Sequence, residues 1–230
     1  AYTVSDEYPY SQRTMIKAGD YKKEINYIRN SIKVLVDAYD GTVKFYIMDT
    51  TDPIAVAYSH AYPGVFKDGT EIEKSISNHF VYSEYLYNVQ AEILEMYHNV
   101  TADVLYRGDD IWGNASYSSN SKSSSKTEIT PYYTMVKEDD KNKVGLVLPY
   151  TVYGKQNITS YLVGVTDGSG NQKLKLYKFA SGSNVLGPEQ LDKEIEQDET
   201  ISASIKSINV TGTKITKNMI IVPINNTLLY

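Results

Sequence analysis

Four aspartates are the residues of this sequence best suited to bind a metal ion. Asp37 and Asp40 flank a hairpin turn, and Asp109 and Asp110 are adjacent, shortly before Trp112. Carboxylates that meet at one edge of a fold can bind a divalent cation or act as a general acid and base. Aspartate also occurs in turns and at helix starts for local reasons. The sequence therefore leaves a divalent-cation site at these four residues open beside a purely structural role.

The three histidines, His60, His79 and His98, complete no catalytic motif. They lack the His-x-x-x-His and His-Glu-x-x-His spacings of zinc hydrolases, and His98 is interpreted as a polar end of the preceding helix. The chain has no cysteine, no Gly-x-Ser-x-Gly elbow and no Gly-x-Gly-x-x-Gly loop. No catalytic residue and no organic cofactor are predicted, and an enzyme built from the aspartates and His98 stays an alternative.

Tyrosine supplies most of the aromatic residues, with 22 tyrosines against 4 phenylalanines and 1 tryptophan. Tyrosine rings bury apolar area while the hydroxyl bonds water or a partner. One interpretation is that tyrosine takes the place of phenylalanine in β-structure. The other is a ligand-binding surface, because aromatic rings stack on sugars and fill interface pockets. The candidate ligand-binding residues are Tyr82, Tyr85, Tyr87, Tyr132 and Tyr133.

The bulk composition is that of a folded protein with no electrostatic attraction to nucleic acid. The chain has 230 residues, 41% of them hydrophobic, and a net charge of -5. Its lysines and arginines are outnumbered and scattered, which excludes a nucleic-acid partner. No apolar run reaches the roughly 18 residues that a membrane-spanning helix needs. Both termini fall in strand-like or irregular sequence, so we expect a soluble part of a longer protein.

Alternating apolar residues predict a mainly antiparallel sheet. A β-hairpin is expected around Asp40–Gly41, and residues 1–30 are expected to be an irregular lead-in. Later strands are predicted at Tyr132–Lys137, Lys143–Leu148, Ile158–Thr166, Lys173–Phe179 and Met219–Leu229.

Helices are predicted in groups rather than in alternation with the strands. One begins at Asp52–Pro53, a second spans Ser83–Tyr97, and two acidic helices begin at Pro188 and Asp198. Grouped helices with hairpin-connected strands favour an α+β fold. We expect a single region over residues 1–230, with a flexible serine-rich loop at 113–127.

Several short strings carry a resemblance to a known family. They are Tyr8–Ser11, Asn26–Val34, Val36–Gly41, Asp52–Ile54, Val89–Glu92, Tyr97–His98, Gly187–Pro188, Val222–Ile224 and Leu228–Tyr230. Together they resemble uncharacterised protein family 0182 (UPF), large bacterial proteins with several membrane-spanning helices followed by a large soluble region. The resemblance implies that this chain is part of that region, at the extracytoplasmic face of the cell membrane. The family has no established activity, so the resemblance transfers no catalytic residue.

Three functions follow as hypotheses. The favoured one is a non-enzymatic module that binds an envelope component or a protein partner. A cell-envelope hydrolase or metal-dependent enzyme that uses the Asp/His cluster is the alternative. The third is an assembly role through self-association or packing against the membrane part of the parent protein.

Overall fold

The computed structural model is an α+β fold with mainly antiparallel sheets, which confirms the fold class predicted from the sequence. The chain divides into two compact units, of which the first comprises residues 1–93 and 166–171 and the second 94–165 and 172–230. The structure describes residues 1–18, 21–118, 126–138, 140–167, 170–180, 182–209, 217–224 and 227–230.

The first unit combines short strands with helices. Its described elements, in chain order, are β1 (Thr3–Ser5), β2 (Thr14–Ala18), β3 (Tyr21–Ile25), β4 (Tyr27–Arg29), β5 (Ile32–Val36), β6 (Val43–Ile47), α1 (Pro53–Ala61), β7 (Phe66–Asp68), a 3₁₀ turn (Gly69–Glu71), α2 (Lys74–Ser77) and the first part of α3 (Glu84–Tyr97).

The hairpin predicted around Asp40–Gly41 is present. Strands β5 and β6 pair antiparallel, with Ile32 opposite Ile47, and β7 adds to β6 in parallel. Gly41 has a φ of 75°, in the left-handed region that glycine adopts without steric cost. The predicted helix α1 also forms directly after Asp52.

The irregular lead-in expected for residues 1–30 is wrong. Strand β1 pairs antiparallel with β4, and β2 pairs antiparallel with β3. These strands have three to five residues, and β3 carries the consecutive charged residues Lys22, Lys23 and Glu24. Such short strands lack the sustained alternation by which a half-buried strand is identified in a sequence.

The second unit is built on a larger sheet. Its described elements are the end of α3, then α4 (Ala102–Arg107), β8 (Trp112–Asn114), β9 (Ser116–Ser118), β10 (Lys126–Glu128), β11 (Tyr132–Glu138), β12 (Lys141–Val152), β13 (Ile158–Thr166), β14 (Gln172–Lys178), α5 (Pro188–Gln197), α6 (Glu199–Asn209), β15 (Val222–Ile224) and β16 (Thr227–Leu229).

The sheet of the second unit has the order β11-β12-β13-β14, and β8 pairs with the far end of β12. Within this sheet Val147 lies opposite Tyr132 on one side and Val163 on the other. A methyl group added at Gly145 would lie only 2.7 Å from Val136 Cγ2. Glycine is therefore required there for β11 and β12 to pack as they do.

Two segments of the second unit differ in detail from expectation. The segment Met219–Leu229 is not one strand but forms the antiparallel pair β15 and β16, which we call the terminal hairpin (residues 222–229). The prediction of one strand overlooked Asn225 and Asn226, which interrupt the apolar run and are residue types that favour turns. The centre of the expected serine-rich loop, residues 119–125, lies outside the described residues, and on either side of it β9 pairs with β10.

Across the part of the chain that the structure describes, we find no helix with the length and hydropathy needed to cross a membrane.

A buried carboxylate joins four segments of the first unit. Asp52 is fully buried, and its Oδ2 accepts hydrogen bonds from Thr3 Oγ1 and Ser31 Oγ, each at 2.5 Å. Its Oδ1 accepts from Tyr27 Oη at 2.9 Å and from the Ile54 amide at 3.0 Å. The last bond caps the N-terminus of α1, and the others hold β1, β4 and the start of β5 to that helix.

These hydrogen bonds set the ionisation of Asp52 and Tyr27. Burial by itself raises the pKa of Asp52, but the bonds from Ser31, Thr3, Tyr27 and the Ile54 amide outweigh it and lower the pKa below its ordinary value. Burial, followed by the bond to the Asp52 carboxylate, raises the pKa of Tyr27 to about 12. Asp52 is therefore a buried anion whose charge is balanced by hydrogen-bond donors.

We predict that Asp52→Ala lowers the free energy of unfolding by about 3 kcal/mol, because it removes a helix cap and leaves buried donors unpaired. Chemical denaturation of the 230-residue chain measures this. Asp40→Ala, which removes an exposed aspartate whose carboxylate bonds the Thr42 amide, is the matched control and is expected to cost less than about 1 kcal/mol.

The difference in the free energy of unfolding between wild type and Asp52→Ala is also expected to depend on pH. Since the folded-state pKa of Asp52 is depressed, its stabilisation is present above the unfolded value of about 3.9 and is lost as pH falls through the folded value. A difference that stays constant through this acid range, or that equals the effect of Asp40→Ala, would contradict the assignment.

Candidate functional site

The three candidate tyrosines of the first unit are mainly interior residues. Tyr82 and Tyr87 are only 2% and 0% exposed, and their rings meet edge to face. The Tyr82 hydroxyl donates to Gln90 Oε1 at 2.6 Å. Tyr85 is half-buried with its ring 5.3 Å from that of Tyr2. Of these three, Tyr85 alone keeps an appreciable part of its ring at the surface.

The other two candidate tyrosines lie next to each other on β11 of the second unit. Because side chains alternate along a strand, Tyr132 and Tyr133 point to opposite faces of the sheet. Tyr132 is half-buried, whereas Tyr133 is 43% exposed. The five candidate tyrosines are thus divided between the two units.

The candidate metal ligands Asp37 and Asp40 serve the hairpin turn. Asp37 Oδ1 accepts a hydrogen bond from the Tyr39 amide at 2.8 Å, and Asp40 Oδ1 accepts one from the Thr42 amide at 2.8 Å. Both side chains are exposed. The bond from the Thr42 backbone is the largest influence on Asp40 and lowers the pKa of its carboxyl. These contacts are those that aspartate makes in turns.

Asp109 and Asp110 belong to the second unit, where Asp109 pairs with an arginine and Asp110 lies beside a histidine ring. Asp109 Oδ2 lies 3.2 Å from Arg107 Nε, and Asp110 Oδ2 lies 3.4 Å from His98 Nε2. His98 Nδ1 bonds the Leu94 carbonyl at 3.0 Å, as expected for a ring at the end of α3. The His98 ring stacks 3.5 Å from Trp112.

The two aspartate pairs therefore lie in different units. Among the residues that the structure describes, no three histidines, aspartates or glutamates come together in a way that could hold a metal ion.

A cleft of about 530 Å³ lies in the second unit, between the sheet and the terminal hairpin. Its volume is within the range of small-molecule binding sites. Its described lining contains no histidine, cysteine or serine, and consists of Val136, Lys137, Glu138, Asp140, Tyr161, Val163, Tyr177, Lys178, Phe179, Pro223, Thr227 and Leu228. This combination of apolar and charged side chains suits the binding of an amphipathic molecule.

Two tyrosine hydroxyls hold the segment that leads into the terminal hairpin. Tyr161 Oη donates to the Ile221 carbonyl at 2.8 Å, and Tyr132 Oη donates to the same oxygen. The Ile221 amide in turn donates to Tyr132 Oη at 2.9 Å. Burial raises the pKa of Tyr132, and its bonds to Tyr161 and Ile221 oppose that rise. Both polar groups of a fully buried residue are thereby satisfied.

Two ion pairs add polar groups to the cleft. Glu138 is only 3% exposed, and its carboxylate pairs with the Lys175 ammonium. Near the rim, Lys137 Nζ lies 3.1 Å from Asp140 Oδ1. A buried ion pair costs desolvation that its Coulomb attraction only partly returns. The Glu138 pair is thus a polar group retained in a largely apolar wall.

Sequence reasoning named Tyr132 as a candidate but missed the cleft residues Tyr161, Tyr177 and Phe179. Tyr161 lies in the predicted strand Ile158–Thr166, and the segment predicted at Lys173–Phe179 forms β14 one residue earlier, so that Tyr177 lies in the strand and Phe179 directly follows it. What the sequence lacked was the position of the terminal hairpin over the sheet, which turns a sheet surface into a cleft.

Comparisons with known proteins point to one family. The family described as "Uncharacterised protein family (UPF0182)" matches residues 1–208. Proteins named "UPF0182 protein" from Caldicellulosiruptor saccharolyticus and Microcystis aeruginosa are each 38% identical to the whole of this chain, which covers 24% and 23% of their lengths. "UPF0182 protein CA_C0010" of Clostridium acetobutylicum is 35% identical, and the chain covers 25% of it.

The chain spans about a quarter of the length of these curated relatives. No solved structure matches it.

We predict that Tyr132→Phe lowers the free energy of unfolding by about 1.5 kcal/mol, since it leaves the buried Ile221 amide without its acceptor. Tyr133→Phe is the matched control, because it removes a hydroxyl from the adjacent and more exposed residue of the same strand. Urea denaturation of both variants makes the comparison. Equal losses in the two variants would show that the Tyr132 hydroxyl does not hold the terminal hairpin.

Proposed function

We propose that the chain, which belongs to the uncharacterised protein family UPF0182, is a non-catalytic ligand-binding module of a larger membrane protein. The observation that carries the proposal is the cleft beneath the terminal hairpin. The ligand contacts the sheet on one side and the hairpin on the other. The four aspartates that are candidate metal ligands are exposed and are not among the described lining residues of this cleft.

The construction of the cleft supports a binding role. Its walls are a sheet face and a hairpin whose base is held by hydroxyls from two different strands. A site built on such fixed elements loses little conformational freedom when a ligand enters, and that favours affinity.

The chemistry of the lining suggests an amphipathic ligand. Tyr177 and Phe179 present ring surface, and Val163 and Leu228 present aliphatic surface. The charged groups of the Lys137–Asp140 pair lie beside these apolar residues and are free to exchange partners with water or a ligand. Apolar contacts would supply affinity, and the charged groups would fix the orientation of the ligand.

The location that we propose is the extracytoplasmic face of a bacterial membrane. It rests on the resemblance to large proteins with membrane-spanning helices, and it is compatible with relatives about four times as long as this chain. At that face the natural partner is an envelope component or an extracytoplasmic protein. Self-association is the alternative partner arrangement.

Binding in the cleft is tested with an anilinonaphthalene sulfonate dye, which combines aromatic rings with one charged group. We predict that the folded chain binds the dye and that Leu228→Trp weakens binding at least about tenfold, because the larger side chain fills the cleft. Leu229→Trp is the matched control, since Leu229 is the next residue of β16 and lies outside the lining. Fluorescence titration measures each dissociation constant.

Two results of that titration would contradict the proposal. One is a wild-type chain that binds no dye while it remains folded by circular dichroism. The other is equal weakening by Leu228→Trp and Leu229→Trp.

The location predicts that protease added to intact spheroplasts cleaves this region of the full-length protein. An immunoblot against an epitope placed after Tyr230 measures the loss, with a cytoplasmic protein as the control for lysis. Full protection that ends only when the membrane is disrupted would place the region on the cytoplasmic side.

A further inference from the structure

We infer that the ligand of the cleft is an extended acidic peptide that adds as a strand to the open edge of β14. The inference rests on the proposed binding role of the cleft and names the class of its ligand. Three features of the second unit carry it: a strand edge with no partner strand among the described residues, the cleft beside that edge, and the charge of the strand.

Strand β14 ends the ordered series of strands, and in the described part of the chain it pairs only with β13. The Phe179 amide donates to the Thr159 carbonyl on β13 at 3.0 Å. Because successive backbone groups of a strand point in opposite directions, those of Leu174, Leu176 and Lys178 point to the open edge. Such a row of free donors and acceptors is a template for another strand.

The cleft borders the same strand. Tyr177 and Lys178 end β14, Phe179 follows directly, and all three line the cleft. A peptide paired with β14 would direct every second side chain to the face that carries the cleft. The main chain would supply general affinity, and an apolar side chain in the cleft would supply selectivity.

The charge of β14 selects an acidic peptide. Its lysines are Lys173, Lys175 and Lys178, of which Lys175 is paired with Glu138. Lys173 and Lys178 have no acidic partner among the described residues, and Lys178 Nζ lies 5.2 Å from the Trp112 ring centre. Because Lys173 and Lys178 are five residues apart, they lie on opposite faces of the strand, and each face offers one positive charge to a carboxylate on an added strand.

The same lysines argue against a second copy of this chain as the occupant. Strand β14 contains three lysines and no acidic residue, so two β14 edges brought together would gather positive charge with no carboxylate to balance it, and like charges destabilise a strand pair. Lysine on an edge strand is a common means of preventing such self-pairing. The edge of β14 therefore disfavours pairing with a second copy of itself and favours pairing with a negatively charged strand.

The test uses a fluorescein-labelled peptide of about ten alternating glutamates and valines, a length that covers β14. Fluorescence anisotropy with the 230-residue chain is expected to show saturable binding that weakens at high salt. A peptide of alternating lysines and valines should bind at least about tenfold more weakly. The acidic peptide should also displace the dye from the cleft.

A backbone-modified peptide tests strand addition without changing the protein. The acidic peptide, N-methylated at every second residue so that one edge loses its donors, is expected to bind at least about tenfold more weakly. On the protein side, the double variant Lys173→Glu, Lys178→Glu should reverse the preference between acidic and basic peptides. Lys67→Glu, an exposed lysine of β7 in the first unit, is the control with the same type of charge change.

The outcomes separate this inference from the proposed function. If the dye binds with the expected sensitivity to Leu228→Trp but the acidic peptide does not bind, the peptide inference is overturned and the binding role stands. If neither binds, both are overturned. Peptide binding that is unaffected by N-methylation, or by the lysine reversal, would also overturn strand addition at β14.

Discussion

The cleft depends on the hydrogen bonds between two tyrosine hydroxyls and the backbone of Ile221. Tyr132 and Tyr161 lie on β11 and β13, and they meet at one residue that precedes the terminal hairpin. A buried amide and carbonyl without partners would each cost about 1–3 kcal/mol, so this residue is stable in the interior only with these hydroxyls. The hairpin position, and with it one wall of the binding site, follows from that constraint.

The first unit uses the same physical solution around a different group. The buried Asp52 carboxylate is balanced by hydroxyls from Thr3, Tyr27 and Ser31 and by one amide. Both arrangements explain part of the tyrosine content of this protein. Tyr27, Tyr132 and Tyr161 do more than replace phenylalanine in β-structure, because their hydroxyls bond polar groups that the fold buries. Of these three, Tyr132 is also a candidate binding residue, and its hydroxyl bonds the buried backbone of Ile221.

Long or strongly alternating elements were predictable, and the relations between distant elements were not. The β5–β6 hairpin, the cap at Asp52 and the strands of the large sheet follow from local periodicity and turn chemistry. The short strands of residues 1–30 lack that periodicity. The burial of Tyr82 and Tyr87 and the place of Ile221 are set by tertiary packing, with partners as far as 89 residues away. The family was recognisable from short strings, but the cleft required the fold.

The central claim is that ligand binding takes place between the sheet and the terminal hairpin. Two-dimensional NMR of the isotope-labelled chain, titrated with the anilinonaphthalene dye, maps the site at the level of single amides. The account predicts that the largest shift changes fall at Tyr161, Tyr177, Leu228 and their neighbours, while the amides around Asp52 stay unchanged. Changes centred on the first unit, or none at saturating dye, would contradict it.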